Sequence, residues 1–112
     1  MAGSPGQLGP ETHGPFGDPL FPDAKADLTL DGFVRYVTNA AFADVVAFFE
    51  RQFKDEKYIF TAKSEEKGVP TWVAGAGVRY TAAAWAALLV TPVPPKGKKP
   101  GKGTHIVVTK KG

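Results

Sequence analysis

The residues of this chain that could carry metal or acid–base chemistry are few and widely separated. It has two histidines, His13 and His105, and neither belongs to an H-x-H or H-x-x-x-H pair. A catalytic zinc site needs about three protein ligands at suitable spacing. The chain has no cysteine, which excludes disulfides, thiol catalysis and Cys-ligated zinc. We therefore expect no metal site and no cofactor.

The other groups able to do chemistry also lack a catalytic setting. Asp55-Glu56 and Glu65-Glu66 are neighbours in charged turns, where carboxylates point apart and stay solvated, so nothing predicts the shifted pKa of a general acid. Neither Ser4 nor Ser64 lies in a G-x-S-x-G context. Gly75-Ala76-Gly77 lacks the third glycine of a dinucleotide loop and favours a kink in a strand. The sequence predicts that the chain is not an enzyme.

Positive charge is concentrated near the end of the chain. Residues 91–112 carry six lysines and no acid, while residues 1–90 carry eight basic and eleven acidic side chains. The lysines that could contact an anion or nucleic acid are Lys96, Lys98, Lys99, Lys102, Lys110 and Lys111.

Two interpretations of the basic loop at 94–103 stay open. Its positive charge could hold nucleic acid or anionic lipid. Binding to nucleic acid would have no sequence preference, because the loop has neither an arginine for base readout nor an aromatic ring for stacking. It could instead be a solvated loop that discourages edge pairing, which is the interpretation we favour.

The beginning of the chain has a different composition from the rest. Residues 1–21 have glycine or proline at about every second position, so we expect a disordered leader followed by a single domain over 22–112. Phe16, Leu20 and Phe21 are the apolar exceptions, and they could attach the end of this segment to the domain. The first residues have neither a basic start nor an apolar run, so we expect no signal peptide there.

One amphipathic helix is predicted over 40–54. Val45, Val46, Phe49 and Phe53 recur at helical spacing and form an apolar stripe. Thr38-Asn39 supplies side chains suited to cap its first turn.

Strands are predicted on both sides of this helix, in the order β-α-β-β-β-β. Asp31-Gly32 interrupts the first strand, either as a hairpin turn or, as we prefer, as a bulge or bend. Ala82 to Val93 is rich in alanine but ends in β-branched residues, and we favour strand over helix. Besides this segment, four strands are predicted, over 28–37, 57–64, 71–74 and 104–111. Residues 78–81 are a strand-like continuation of the third.

These elements together predict an α+β domain. An antiparallel sheet of four to five strands would carry the single amphipathic helix on one face.

Part of the chain resembles a family of small exported bacterial domains, often borne by lipoproteins. Pro19 to Lys25 is similar to the Pro-x-(Tyr/Phe)-Pro-(Gly/Asp)-Ala opening of that family, and the helix carries its V-x-x-F-(Y/F) type of motif. The resemblance covers about residues 19–64. It implies a periplasmic or cell-surface location, with a lipoprotein signal removed before Ala2; without it we expect a cytoplasmic protein.

The function predicted from these observations is a non-enzymatic binding or structural module, of bacterial origin. We expect a protein partner. The alternative is a sequence-independent binder of nucleic acid or of an anionic surface through the lysine-rich loop.

Overall fold

The structure is a computed structural model that describes residues 13–98 and 101–111. Within these residues one helix follows two strands and precedes four more. The elements are β1 (Lys25–Leu30), β2 (Phe33–Thr38), α1 (Phe42–Gln52), β3 (Ile59–Glu66), β4 (Val69–Ala76), β5 (Trp85–Pro92) and β6 (Thr104–Lys110).

All six strands form one antiparallel sheet in the order β1-β2-β6-β5-β4-β3. The chain makes a hairpin, crosses one face of the sheet as α1, and returns from the far edge as a four-stranded meander that ends beside β2. The predicted combination of an antiparallel sheet with one helix is confirmed. The predicted number of four to five strands, in the order β-α-β-β-β-β, is wrong.

The additional strand arises at Asp31-Gly32, which is a hairpin turn and not the bulge we preferred. Leu30 pairs with Phe33 directly across this turn, and Gly32 adopts a φ of 76° that favours glycine. The strand before the turn extends back to Lys25 and is therefore long enough to pair. A shift in register does occur in β1, between Ala26 and Leu28.

The meander follows the sequence prediction in most places. The alanine-rich segment forms strand β5, as favoured. The charged turn between β3 and β4 has Lys67 at a φ of 54° and Gly68 at 79°, the pattern of a type I′ hairpin. The continuation expected at 78–81 is not a strand, because Gly77 begins a turn closed by the Tyr80 amide at 2.9 Å.

Helix α1 is confirmed and packs its apolar stripe on the centre of the sheet. Val45, Val46 and Phe49 are buried. The Phe49 ring stacks on Trp72 with 6.1 Å between centroids and on Phe53 with 6.2 Å. This aromatic cluster joins the helix and the residue that follows it to the sheet.

The predicted capping of α1 is replaced by a neighbouring network. The N-cap is Ala41, which makes no side-chain cap hydrogen bond. The Thr38 hydroxyl accepts the Ala40 amide at 3.2 Å and donates to Asp23 at 2.5 Å. Thr38 therefore fixes the loop that leads into the helix.

Part of the expected leader belongs to the folded domain. Residues 1–12 lie outside the described residues, but Phe16, Leu20 and Phe21 pack against the buried core. The Phe21 ring meets Phe48 of α1 edge-on, with 5.1 Å between centroids. The packed part of the chain thus begins before residue 22, because these three apolar side chains outweigh the glycine- and proline-rich composition around them.

Replacing Phe49 by alanine tests the helix–sheet contact. Phe49 has no exposed surface, so Phe49→Ala leaves a large cavity and should lower the free energy of unfolding by about 3–5 kcal/mol in a denaturant titration. Val78→Ala is the control, because Val78 is 96% exposed and should cost less than about 1 kcal/mol. Equal losses in the two variants would contradict the packing described.

Candidate functional site

The two edges of the sheet differ in how they are protected against pairing. Edge strand β1 carries the register shift at Asp27, and such irregularities discourage another strand from adding. Edge strand β3 pairs with β4 over all eight of its residues without a shift. It contains no proline, and Lys63 is the single cation along it. The β3 edge is therefore the more open of the two.

Alternation of the ladder fixes which main-chain groups of β3 are free. The Gly77 amide donates to the Tyr58 carbonyl at 2.7 Å, so every second residue from Tyr58 onward bonds to β4. The main-chain amide and carbonyl groups of Thr61, Lys63 and Glu65 consequently point away from β4, out of the edge of the sheet. Pro70 agrees with this assignment, because it lies opposite Glu65, where a missing amide costs no ladder bond.

A groove of about 520 Å³ runs beside this edge, between α1 and the β3–β4 hairpin. Its apolar lining includes Phe42 and Val46 of the helix and Trp72 of β4. The groove exists because α1 lies over the centre of the sheet and leaves the helix-side surface of β3 uncovered, so that Thr61, Lys63 and Glu65 are exposed.

Charged groups line one side of the groove. The Lys63 amine and the Glu50 carboxylate are 3.7 Å apart and join β3 to α1. Glu65 also lines the groove and has no ion pair among the described residues. The groove thus combines an apolar lining with a net negative side.

The lysine-rich loop lies at one end of the sheet, between β5 and β6. Lys96, Lys98 and Lys102 are exposed, and Lys99 lies outside the described residues. The loop is closed at its base by the Val93 amide, which donates to the Gly103 carbonyl at 3.1 Å. A side chain at Gly101 would overlap the Val93 carbonyl oxygen, so the chain approaches itself closely there.

The two remaining candidate lysines lie at the opposite end of β6. Lys110 is its last residue and is exposed. The Lys111 amine donates to the Tyr80 carbonyl and lies 5.8 Å from the centroid of the Tyr80 ring. The structure therefore does not bring Lys110 and Lys111 together with the lysines of the loop.

The groups considered for catalysis or metal binding are dispersed. His105 is half-buried, with Nε2 4.0 Å from Asp27, while His13 forms an isolated bridge with Pro19. No group of three potential metal-ligating side chains occurs within 13–98 and 101–111. In the same part of the chain, no helix is long and apolar enough to cross a membrane.

Asp18 is a buried polar residue that sequence reasoning missed. Its Oδ1 accepts the Phe16 amide at 3.2 Å, and its Oδ2 is buried without a hydrogen-bond partner among the described residues. A Cβ at Gly14 would overlap both the Asp18 carboxylate and the Tyr36 hydroxyl, so a larger residue there would have to displace these two side chains. Burial raises the pKa of Asp18, opposed by hydrogen bonds to its own and the Phe16 backbone and by nearby His13.

The groove and the buried carboxylate had no clear signal in the sequence. Trp72 and Phe42 look like ordinary core residues, and a groove depends on where the helix crosses the sheet. Asp18 stands among glycines and prolines, a composition that indicates a loop. Its place between the apolar residues Phe16 and Leu20 was the only hint of burial.

Comparisons with protein-family models, with curated proteins and with solved structures give no match for this chain. The resemblance to exported bacterial domains therefore stays a prediction.

Asp18→Asn should change how stability depends on pH. The folded-state pKa of Asp18 is raised above the reference value of 3.8. As the pH increases, the Asp18 carboxyl of the unfolded chain therefore loses its proton at a lower pH than that of the folded chain. As pH rises from about 4 toward the raised pKa, wild type should lose stability that the neutral asparagine retains. Thermal melting of both proteins across this range measures the difference, with exposed Asp31→Asn as the control. Parallel profiles for wild type and Asp18→Asn would contradict the assigned burial.

Proposed function

We propose that this chain is a non-enzymatic binding domain that takes an extended peptide segment of a partner protein along the outer edge of β3. The single observation that carries this proposal is the uninterrupted edge of β3 with free main-chain groups, lying beside the groove. Addition of a strand to an open sheet edge is a common mode of peptide recognition.

The main chain would supply most of the affinity. The outward groups of Thr61, Lys63 and Glu65 are spaced for an antiparallel or parallel strand about 4.8 Å beyond β3. These groups are exposed, so the added strand replaces their bonds to water with bonds inside a ladder.

The groove would supply the specificity. Alternate side chains of the added strand point to the helix side of the sheet. A large apolar side chain there can lean over β3 toward Phe42 and Val46. The carboxylate of Glu65 favours a lysine or arginine next to that apolar residue. The expected ligand is therefore an extended segment with alternating apolar positions and one basic residue.

Substitution of Thr61 separates main-chain pairing from side-chain contact. Thr61→Pro removes an outward amide without breaking a bond to β4, because proline is tolerated at the free side of an edge strand. Selection of a phage-displayed library of random peptides on the immobilised wild-type chain should enrich the pattern described. The enriched peptides should bind Thr61→Val and lose binding to Thr61→Pro. Equal binding to both variants, or no enrichment on wild type, would refute strand addition at β3.

A second candidate function is the binding of anions at the lysine-rich end of the sheet. Lys25 begins β1, Lys67 lies in the β3–β4 turn, and Lys96, Lys98 and Lys102 lie in the β5–β6 loop. All of these positions lie at the same end of the sheet, where the lysine-rich loop is. None of the five lysines has an ion pair among the described residues. This clustering supports electrostatic contact with a polyanion.

A salt series tests this second function. If four lysines contact phosphates, log K for duplex DNA should fall against log salt with a slope of about −3.6. Joint substitution of Lys96, Lys98, Lys99 and Lys102 by serine should flatten the slope and leave the folding transition unchanged. Anionic vesicles in place of DNA test a lipid surface, where each lysine contributes about 1 kcal/mol. If wild type binds neither probe at low salt, the loop has no anion-binding role.

A further inference from the structure

The face of the sheet opposite α1 is not covered by any described element. We call it the open face; it consists of the strand residues that alternate with those buried beneath the helix. Its central residues are only half-buried, although they lie inside a six-stranded sheet. Large apolar side chains on it include Leu28, Leu30, Phe33, Val37, Phe60, Val73, Leu89 and Val107.

Two rows of residues cross the open face from edge to edge. The first passes through Phe33, Thr109, Ala87, Gly75 and Phe60. It has large rings toward its ends and small residues between them. A Cβ at Gly75 would meet no heavy atom within 4 Å, so there is open space above this residue.

The second row passes through the middle of the face. It consists of Arg35, Val107, Leu89, Val73 and Ala62. Four of these five residues are apolar, and the exception, Arg35, lies toward the β1 edge.

Two of the charges on the open face, those of Arg35 and His105, lie beside a carboxylate of the chain, whereas Lys25, opposite Val37 at the start of β1, has no ion pair among the described residues. Arg35 donates to the two carboxylate oxygens of Asp27 at 2.9 and 3.3 Å. His105 lies 4.0 Å from the same carboxylate. A surface that covers the part of this face around Arg35 therefore meets the neutralised Arg35–Asp27 pair instead of an isolated charge, which reduces the cost of removing it from water.

The area of the open face reaches the lower limit for a specific interface between two copies. A third, more polar row passes through Val37, His105 and Thr91. Six strands at about 4.8 Å spacing and these three rows at about 6.8 Å give roughly 580 Å² for each copy. Face-to-face pairing of two copies would bury roughly 1,160 Å² in total, above the ~1,000 Å² that marks a biological interface. Apolar patches of several hundred Å² on soluble proteins usually mark such interfaces.

We propose that two copies of this chain pair through their open faces, about a two-fold axis that runs parallel to the strands between β5 and β6. This axis places β2 over β4 of the partner subunit, β1 over its β3, and β6 over its β5. The Phe33 ring of each copy then enters the space above Gly75 of the partner subunit. Val107 meets Leu89 of the partner subunit next to the axis, and sheets packed face to face keep their strands roughly aligned in this way.

This arrangement is independent of the peptide site. The groove and the outward groups of β3 lie on the helix side and at the edge, and the two-fold axis leaves both exposed.

Sedimentation analysis of the full chain tests the dimer. Over about 1 μM to 1 mM, wild type should show a monomer–dimer equilibrium or a dimer throughout. Leu89→Lys places a charge beside the axis and should weaken dimerisation on the order of 100-fold. Val78→Lys is the control, because Val78 is 96% exposed and outside the open face. A wild type that stays monomeric, or a Leu89→Lys variant that dimerises normally, overturns the proposal.

Exchanging the large side chain at Phe33 with the small residue at Gly75 tests how the two copies are oriented. Gly75→Phe fills the space in both subunits, and Phe33→Ala removes the ring, so each variant alone should weaken the dimer. In the double variant, the ring introduced at position 75 of one copy faces the space left at position 33 of the other, which should restore much of the lost affinity. Failure of the double variant to recover overturns the proposed axis.

Dimerisation through the β3 edge is a distinct outcome that the same experiment detects. Thr61→Pro should sediment as wild type does if the open faces pair. Loss of the dimer in Thr61→Pro would overturn the open-face arrangement.

Discussion

A single helix has to cover a sheet that is much wider than itself. An α-helix with its side chains is about 10–12 Å across, whereas six strands at about 4.8 Å span roughly 29 Å. The stack of Phe49 on Trp72 and Phe53 holds α1 over the centre of the sheet. Both flanks of the helix side, and the whole opposite face, must then be covered by other parts of the chain, by a partner or by water.

The two flanks of the helix side are covered differently. On the β2 side, residues 13–24 pack against the core through Phe16, Leu20 and Phe21, with Asp18 enclosed beneath them. On the β3 side nothing described fills the equivalent position, and the groove beside Trp72 remains. The proposed peptide site is thus the counterpart of a surface that residues 13–24 cover on the other flank.

The local elements of this fold could be predicted because their signals are local. The stripe of Val45, Val46 and Phe49 indicated the helix, and the β-branched end of the alanine-rich segment indicated β5. Asp31-Gly32 was misjudged because a hairpin and a bulge share the same residues, and the choice depends on whether Lys25 to Leu30 finds a partner in β2. The groove and the burial of Asp18 depend on long-range packing, which periodicity does not report.

The proposed peptide site requires that β3 is an open edge whose register directs the main-chain groups of alternate residues outward. Amide hydrogen exchange of β3, followed by NMR on the free protein, tests it most directly. An open edge with this register predicts slow exchange at the amides of Phe60, Ala62 and Ser64, which bond to β4. Exchange should be at least about tenfold faster at the outward amides of Thr61, Lys63 and Glu65. Uniform protection along β3, or protection of Thr61, Lys63 and Glu65 in place of their neighbours, would contradict it.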